Sequence, residues 1–283
     1  MNKMRISLFA LGIVAAGYAF TSCEKTTDDN LTGNLTTVTD YTALLGISDL
    51  TEIDEATSNS AFKSASDLDF QPCFEVLIHE NGTDEFWPRS WTFSYTKEGC
   101  ADCFGNLKSG SVHISLSDFW KKEGSSRTIT FEDFSINGNK LEGTRNILNT
   151  GFNDQQMLTF ERTCEDASYS RADTASMSWE SNRDVQMIAG YETFLFADDE
   201  YMVSGGANGV NFDGKSFTIS ISDDLYYKKC SLFPVSGSII IEVEGEASIS
   251  INYGSGECDH LAEMTVDGVS TELTLGLQTQ TCN

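Results

Sequence analysis

Histidine is scarce in this chain: His79, His113 and His260 are the 3 in 283 residues. They form no HExxH pair, and no doubled CxxC accompanies them, so the spacings that build zinc sites are missing. The GxSxG elbow, the P-loop and the dinucleotide fingerprint are missing as well. A Cys258/His260 nucleophile pair fails on geometry, because residues two apart in one extended segment cannot pass a proton and also meet a third, orienting group. Cations are few: 18 Lys and Arg stand against 43 Asp and Glu, a formal charge of −25. Such a surface repels phosphate backbones, which excludes nucleic acid as a partner, and it repels anionic lipid headgroups too. After the first 22 residues no apolar run reaches membrane length, so a second, helical anchor is not expected.

What is present begins at the N-terminus. Lys3 and Arg5 precede the apolar stretch Ile6 to Phe20, and Thr21-Ser22-Cys23 follow. A charged start, a short apolar core and small residues make a secretory signal peptide over 1–22. The stretch is shorter than the roughly 20 apolar residues a spanning helix needs. Phe20-Thr21-Ser22-Cys23 resembles the lipobox of bacterial lipoproteins, with Phe20 where Leu is usual. The resemblance implies cleavage before Cys23 and acylation of its thiol, so that the N-terminal lipid is the link to the membrane; two or more acyl chains hold firmly where one does not. Loss of Lys3 and Arg5 leaves 16 cations against the 43 acids, a formal −27 for the mature chain. Residues 23–39 open on the polar run Glu24 to Asn30 and read as a flexible tether. Its acids resemble the signal that sends some Bacteroidota lipoproteins to the cell exterior; an ordinary solvated linker is the alternative.

Residues 40–69 form a helical segment and link. Leu44, Leu45, Ile47, Leu50, Ile53, Ala56, Ala61 and Phe62 recur at roughly helical spacing, and Asp49 with Glu52 three residues on resembles a capping box. The expected role is to cover one face or end of a sheet. From residue 70 to 283 the period changes to two. Val76 and Ile78, then Trp91, Phe93 and Tyr95, then Val112, Ile114 and Leu116 alternate with polar residues, as do Thr128–Phe131, Ser216–Ile221, Ile239–Val243, Ser248–Tyr253 and Thr271–Leu275. That alternation marks antiparallel strands with one wet face. Asn137-Gly138, Asp213-Gly214 and Asp267-Gly268 sit between such runs as hairpin turns, with Asn81-Gly82 a looser case. The expected fold is all-β: an extended or curved antiparallel meander, folded as a sandwich or an open barrel. Gly110, Gly143, Gly205 and Gly237 stand between small or polar residues inside strand-like runs, which predicts bulges or bends rather than backbone held open for a ligand.

Eight cysteines are present. With Cys23 assigned to lipid, an odd number remains, so at least one stays free or pairs between chains. Cys73 and Cys100 are 27 apart and Cys230 and Cys258 are 28 apart. Each pair brackets a strand, a turn and a returning strand, which suggests a duplicated hairpin unit (73–100 and 230–258) with the disulfide candidates at its ends. Pairing within each unit or between the two both satisfy the spacing. Cys103, Cys164 and Cys282 are left over. Cys100-Ala-Asp-Cys103 has redox spacing but lies in a glycine-flanked turn rather than at a helix N-terminus.

Sites of chemistry are harder to find. No catalytic residue is assigned, since sequence alone cannot pick a working pair from so many carboxylates. Asp198-Asp199-Glu200, Asn211-Phe212-Asp213-Gly214 and Asp223-Asp224 carry oxygens that could meet Ca²⁺, but none has EF-hand spacing, and no metal ligands are assigned. Phe86-Trp87, Phe119-Trp120 and Tyr226-Tyr227 fall in loops or at strand ends, and Trp87, Trp120, Tyr226 and Tyr227 are the candidate ligand-stacking aromatics. The alternative is that they plug the ends of the core. Asp173-Thr174-Ala175 resembles the short O-glycosylation signal of Bacteroidota envelope proteins.

Several stretches together carry a wider resemblance: Gly124 to Phe131, Ile136 to Arg145, Ile188 to Thr193 and Ile249 to Asp259. They are similar to a group of uncharacterised Bacteroidota lipoproteins over most of residues 70–275, least so in 162–184. The resemblance implies an envelope lipoprotein with a β-rich body, and carries no activity with it. The expected function is a non-enzymatic binding or structural module at the outer membrane or cell surface, with a glycan or protein partner. A glycan-active hydrolase and a carrier of apolar ligands are the alternatives.

Overall fold

The computed structural model describes residues 73–79, 81–82, 85–101, 107–171, 175–193, 198–231 and 233–275, all within the unit Gly46–Asn283. Cys23, the tether, the helical segment 40–69, Cys103, Asp173-Thr174 and Cys282 lie outside the described residues.

The described chain is one antiparallel sheet of 13 strands whose spatial order is its sequence order. The strands are β1 Phe74–His79, β2 Arg89–Ala101, β3 Leu107–Leu116, β4 Ser126–Ile136, β5 Asn139–Phe152, β6 Leu158–Ser170, β7 Ser176–Ala189, β8 Glu200–Val210, β9 Ser216–Lys228, β10 Ser236–Val243, β11 Ile249–Ser255, β12 Leu261–Val266 and β13 Val269–Thr274. The expected meander is thus present as one unclosed sheet, not the two sheets of a sandwich; β1 and β13 are its two edges. The turns follow their chemistry. Asn137-Gly138 and Asp267-Gly268 both have positive φ at each residue, as two-residue hairpin turns require. Asp213-Gly214 instead sits in the longer connection between β8 and β9, held by Asn211 Oδ1, which accepts the N–H groups of Asp213 and Lys215 at 3.0 and 2.9 Å.

One face of the sheet is buried and the other is polar. In β9 to β12 the buried face is aliphatic: Ile219, Ile241, Ile249 and Val266 are register partners in one row, and Ile239, Ile251 and Met264 in the next. Ile239, Ile241, Ile249 and Ile251 are wholly inaccessible to solvent. Each such side chain contributes about 1.5–3 kcal/mol by leaving water. The opposite face carries Ser, Thr, Asn and charged residues, and cross-strand hydroxyl pairs recur on it, among them Ser94–Ser111, Ser109–Ser135 and Thr150–Thr159. We call these the inner and outer faces.

Gly110, Gly143, Gly205 and Gly237 sit at bulges. Register breaks fall at Ser109/Ser111, Glu142/Thr144, Val203/Gly206 and Ser236/Ser238, and Gly110, Gly143, Gly205 and Gly237 all have positive φ. At Gly110 the reason is also steric: a Cβ there would stand 2.2 Å from the Asp133 carbonyl oxygen on β4. A bulge in one strand increases the local twist.

Both cysteine pairs close within their own hairpin units. Cys73–Cys100 has a Cα separation of 5.4 Å and Cys230–Cys258 one of 6.0 Å. Cys164 is buried and forms no disulfide. Persistent disulfides belong to oxidising compartments, which makes this a protein of the world outside the cytoplasm.

Candidate functional site

On the outer face of the first four strands a chain of side-chain hydrogen bonds crosses from β1 to β4. His79 Nε2 lies 2.8 Å from Thr92 Oγ1 on β2, Thr92 Oγ1 lies 2.8 Å from His113 Nδ1 on β3, and His113 Nε2 lies 3.1 Å from Glu132 Oε2 on β4. The backbone register brings these residues together. Thr92 is the direct partner of His113, and it faces Leu77, two residues from His79. Because outer positions recur every second residue, side chains 13 and 21 residues from Thr92 in sequence meet on one surface.

Donor logic gives the chain a direction. An ionised carboxylate only accepts, so His113 donates from Nε2 to Glu132. In the neutral ring Nδ1 is then the acceptor, and the Thr92 hydroxyl donates to it. The Thr92 oxygen in turn accepts Nε2–H of His79. With both rings neutral, this pattern makes each the Nε2–H tautomer.

A depression of about 220 Å³ opens over this chain, lined by His79, Ser90, Trp91, Thr92, His113, Ile114, Ser115, Thr128 and Thr130. Its polar lining is hydroxyl and imidazole throughout. Thr92–His113–Glu132 also has the hydroxyl–imidazole–carboxylate order of an activated nucleophile. Its setting argues for a different use. Thr92 is only 6% exposed and is flanked by imidazoles on both sides, and the N–H groups of a strand interior are committed to the ladder rather than aimed at a developing oxyanion. What the depression offers a ligand is a set of hydroxyl and imidazole donors and acceptors.

The sequence-selected aromatics do not converge. Trp87 lies in the β1–β2 connection with its ring edge-on to Phe86 at 5.1 Å, and Arg89 sits over the exposed Phe86 ring at 4.1 Å. Trp120 lies in the β3–β4 loop, which folds over the inner face. Its ring stacks on Phe160 of β6 at 6.1 Å, its carbonyl accepts from Asn149 Nδ2 at 2.8 Å, and the next residue, Lys121, donates from Nζ to the carbonyls of Tyr191 and, at 2.6 Å, Thr193. Trp120 is half-buried where it meets Phe160. Burial pulls the Lys121 ammonium below its usual range. Tyr226 and Tyr227 are consecutive on β9 and so point to opposite faces. Tyr226 donates its hydroxyl to Glu200, which, with desolvation, pushes its pKa up to about 12.

The acids of the Asp198-Asp199-Glu200 cluster are committed to separate partners. Asp198 accepts from Thr193 Oγ1, Asp199 from the Tyr201 hydroxyl at 3.0 Å, and Glu200 from Tyr226. Burial raises the Asp199 carboxyl above its usual range. Among the described residues no three His, Cys, Asp or Glu side chains are grouped so as to hold a metal ion, and no helix is long and apolar enough to cross a membrane.

The chain matches no protein-family profile, and neither the curated proteins nor the solved structures hold a significant match to it.

Proposed function

We propose that this protein is an exported lipoprotein, tethered through Cys23 at the outer membrane or cell surface, whose β body binds a neutral polar ligand without transforming it. Glycans are the ligand class of best fit. The observation that carries the reading is the outer-face depression, where imidazole and hydroxyl groups from four consecutive strands converge without a carboxylate, ammonium or guanidinium in the lining. Its volume of about 220 Å³ falls below the ~300 Å³ at which sites begin to enclose whole small molecules. It suits one ring of a longer chain, the rest running across the hydroxyl-rich face beside it. The hydroxyl pairs of that face can exchange partners with sugar hydroxyls at little net cost, since each trades one hydrogen bond for another. The net negative charge directs the choice away from anionic polysaccharides and toward neutral ones. The tether and envelope location rest on the signal-peptide pattern, the lipobox resemblance and the two disulfides.

The test is an array of neutral and acidic glycans probed with the mature chain, Thr92→Val and His113→Ala. The reading expects binding to neutral glycans, weakened about tenfold or more in His113→Ala through the loss of one or two hydrogen bonds. Binding indifferent to both substitutions, a blank array, or turnover of any glycan by the mature chain would each overturn it.

A further inference from the structure

The two edges of the sheet differ in chemistry. β13 is mostly hydroxyl and carboxylate, whereas β1 carries Val76, Leu77 and Ile78 in succession, 38%, 59% and 45% exposed. Edge strands are ordinarily blunted with charge, proline or a bulge, because their outward N–H and C=O groups are a template for another strand. Three adjacent exposed aliphatic residues on such an edge do the opposite and favour pairing.

The ladder fixes which backbone groups of β1 face outward. The Thr96 N–H donates to the Cys73 carbonyl at 3.3 Å, and the register continues from there as Phe74↔Tyr95 through His79↔Ser90. Hydrogen-bonded pairs recur at every second residue of an antiparallel ladder. Residues 75, 77 and 79 therefore turn their backbone groups toward β2, and Phe74, Val76 and Ile78 turn theirs away from the sheet. The side chains alternate as well. Leu77 opposes Thr92 and shares the outer face with Glu75 and His79, while Val76 and Ile78 oppose Phe93 and Trp91 on the other side.

An incoming antiparallel strand must match both patterns, and the stretch Glu75 to His79 matches itself. Centred on Leu77, Val76 of one copy faces Ile78 of the other through their outward backbone groups, Leu77 faces Leu77, and Glu75 faces His79. Aliphatic meets aliphatic and acid meets imidazole, the cross-strand pairs that stabilise a sheet. Centring on Val76 or Ile78 would set Leu77 against Glu75 or His79, and centring on Glu75 would oppose two carboxylates.

We propose that β1 is a homodimer edge: two copies pair antiparallel over residues 75–79 about a twofold axis at Leu77, and their sheets become one. The contact uses the same surface on both copies, so it closes at two. It adds Glu75 of the second copy to the His79 end of the row that runs through Thr92 and His113 to Glu132. One short strand per copy makes a contact smaller than the ~1,200 Å² of stable complexes, so the dimer forms and dissociates with concentration. The pairing does not rest on which ligand the outer face binds.

The test is light scattering of the mature chain from micromolar to near-millimolar concentration, at about 0.15 M salt, where repulsion between the acidic bodies is screened beyond ~8 Å. The mass is expected to rise from one copy to two and no further. Leu77→Lys should weaken the dimer about tenfold or more, since it opposes two ammonium groups at the axis, while Val269→Lys on the exposed β13 edge should leave it unchanged. Glu75→Lys and His79→Glu should each weaken it, and the two together should restore it. Under mild oxidation Leu77→Cys should give a dimer joined through the introduced thiols, because axis-related Cα atoms at a non-hydrogen-bonded pair lie about 4.5 Å apart; Val76→Cys should not. Peptide mass spectrometry locates the bond and circular dichroism checks that the sheet is kept; should Leu77→Lys unfold, the two cysteine variants decide. A mass of one copy at every concentration, growth beyond two copies, a dimer indifferent to Leu77→Lys, or crosslinking through Val76→Cys in place of Leu77→Cys would each overturn the proposal.

Discussion

At Gly110 two constraints meet. Its φ is +86°, and a side chain there would run into the backbone of Asp133. Gly214 shares only the first: φ is +75° and a Cβ would meet nothing within 4 Å. The left-handed conformation costs a non-glycine residue about 1–2 kcal/mol, while a backbone collision inside a sheet must move a strand. Gly110→Ala is therefore expected to lower stability by about 2–4 kcal/mol, and Gly214→Ala by no more than about 2 kcal/mol, in denaturant unfolding. Equal effects would contradict the bulge geometry. This feature was legible in the sequence, because glycine among small polar residues inside an alternating run usually marks a bulge or a bend. The fate of Tyr226 was not. That phenol donates to Glu200 and is held protonated up to about pH 12, above the ordinary tyrosine value near 10. A proton retained by the folded chain and lost by the unfolded one means that stability falls as pH rises from about 10 to 12. Spectrophotometric titration should show one late-ionising tyrosine in the folded chain. Tyr226→Phe should remove it, and Glu200→Gln should move it back toward the others. A Tyr226→Phe titration identical to that of the parent would refute the pairing.

The strands show why part of the sheet could be read in advance and part could not. β2, β3 and β9 to β11 place apolar residues at nearly every inner position, so the period of two is visible in the chain. β6 and β7 do not. Their inner positions include Arg162, Cys164, Ser181 and Arg183, which interrupt the apolar rhythm, and residues 162–184 accordingly look patternless before the register is known. The two faces can be tested on adjacent residues. Ile241 on β10 is 0% exposed and Ile240 faces the other way. Ile241→Ala is expected to cost about 3 kcal/mol or more by removing buried methyl groups. Ile240→Ala should cost about 1 kcal/mol or less, as for a partly solvated site. Similar costs would mean that the sheet does not have one dry and one wet side. The candidate site was half legible in the same way. His79 and His113 fall on polar alternation positions in the sequence, but only the pairing of β1, β2 and β3 brings them to either side of Thr92. The directions of the candidate stacking aromatics were not legible, because the same pairing sets them. Consecutive strand residues such as Tyr226 and Tyr227 point apart, and Trp120 is drawn inward by Phe160.

For the molecule as a whole, the proposed reading joins export and tethering to oxidation. The disulfides Cys73–Cys100 and Cys230–Cys258 join residues 27 and 28 positions apart, and each closed loop contributes about 3–4 kcal/mol in the chain-entropy account. That contribution exists only where thiols are oxidised. In the proposed reading, a signal peptide supplies the route to such a place, acylated Cys23 the means of staying there, and the hydroxyl-rich face the surface for ligands. The measurement that bears most directly on this picture is peptide mass spectrometry of the protein isolated without reductant from its own cells. The account predicts a membrane-fraction chain that begins at an acylated Cys23, with residues 73 and 100 joined and residues 230 and 258 joined. A cytosolic chain that retains residues 1–22, with an unmodified Cys23 and all four thiols reduced, would contradict it.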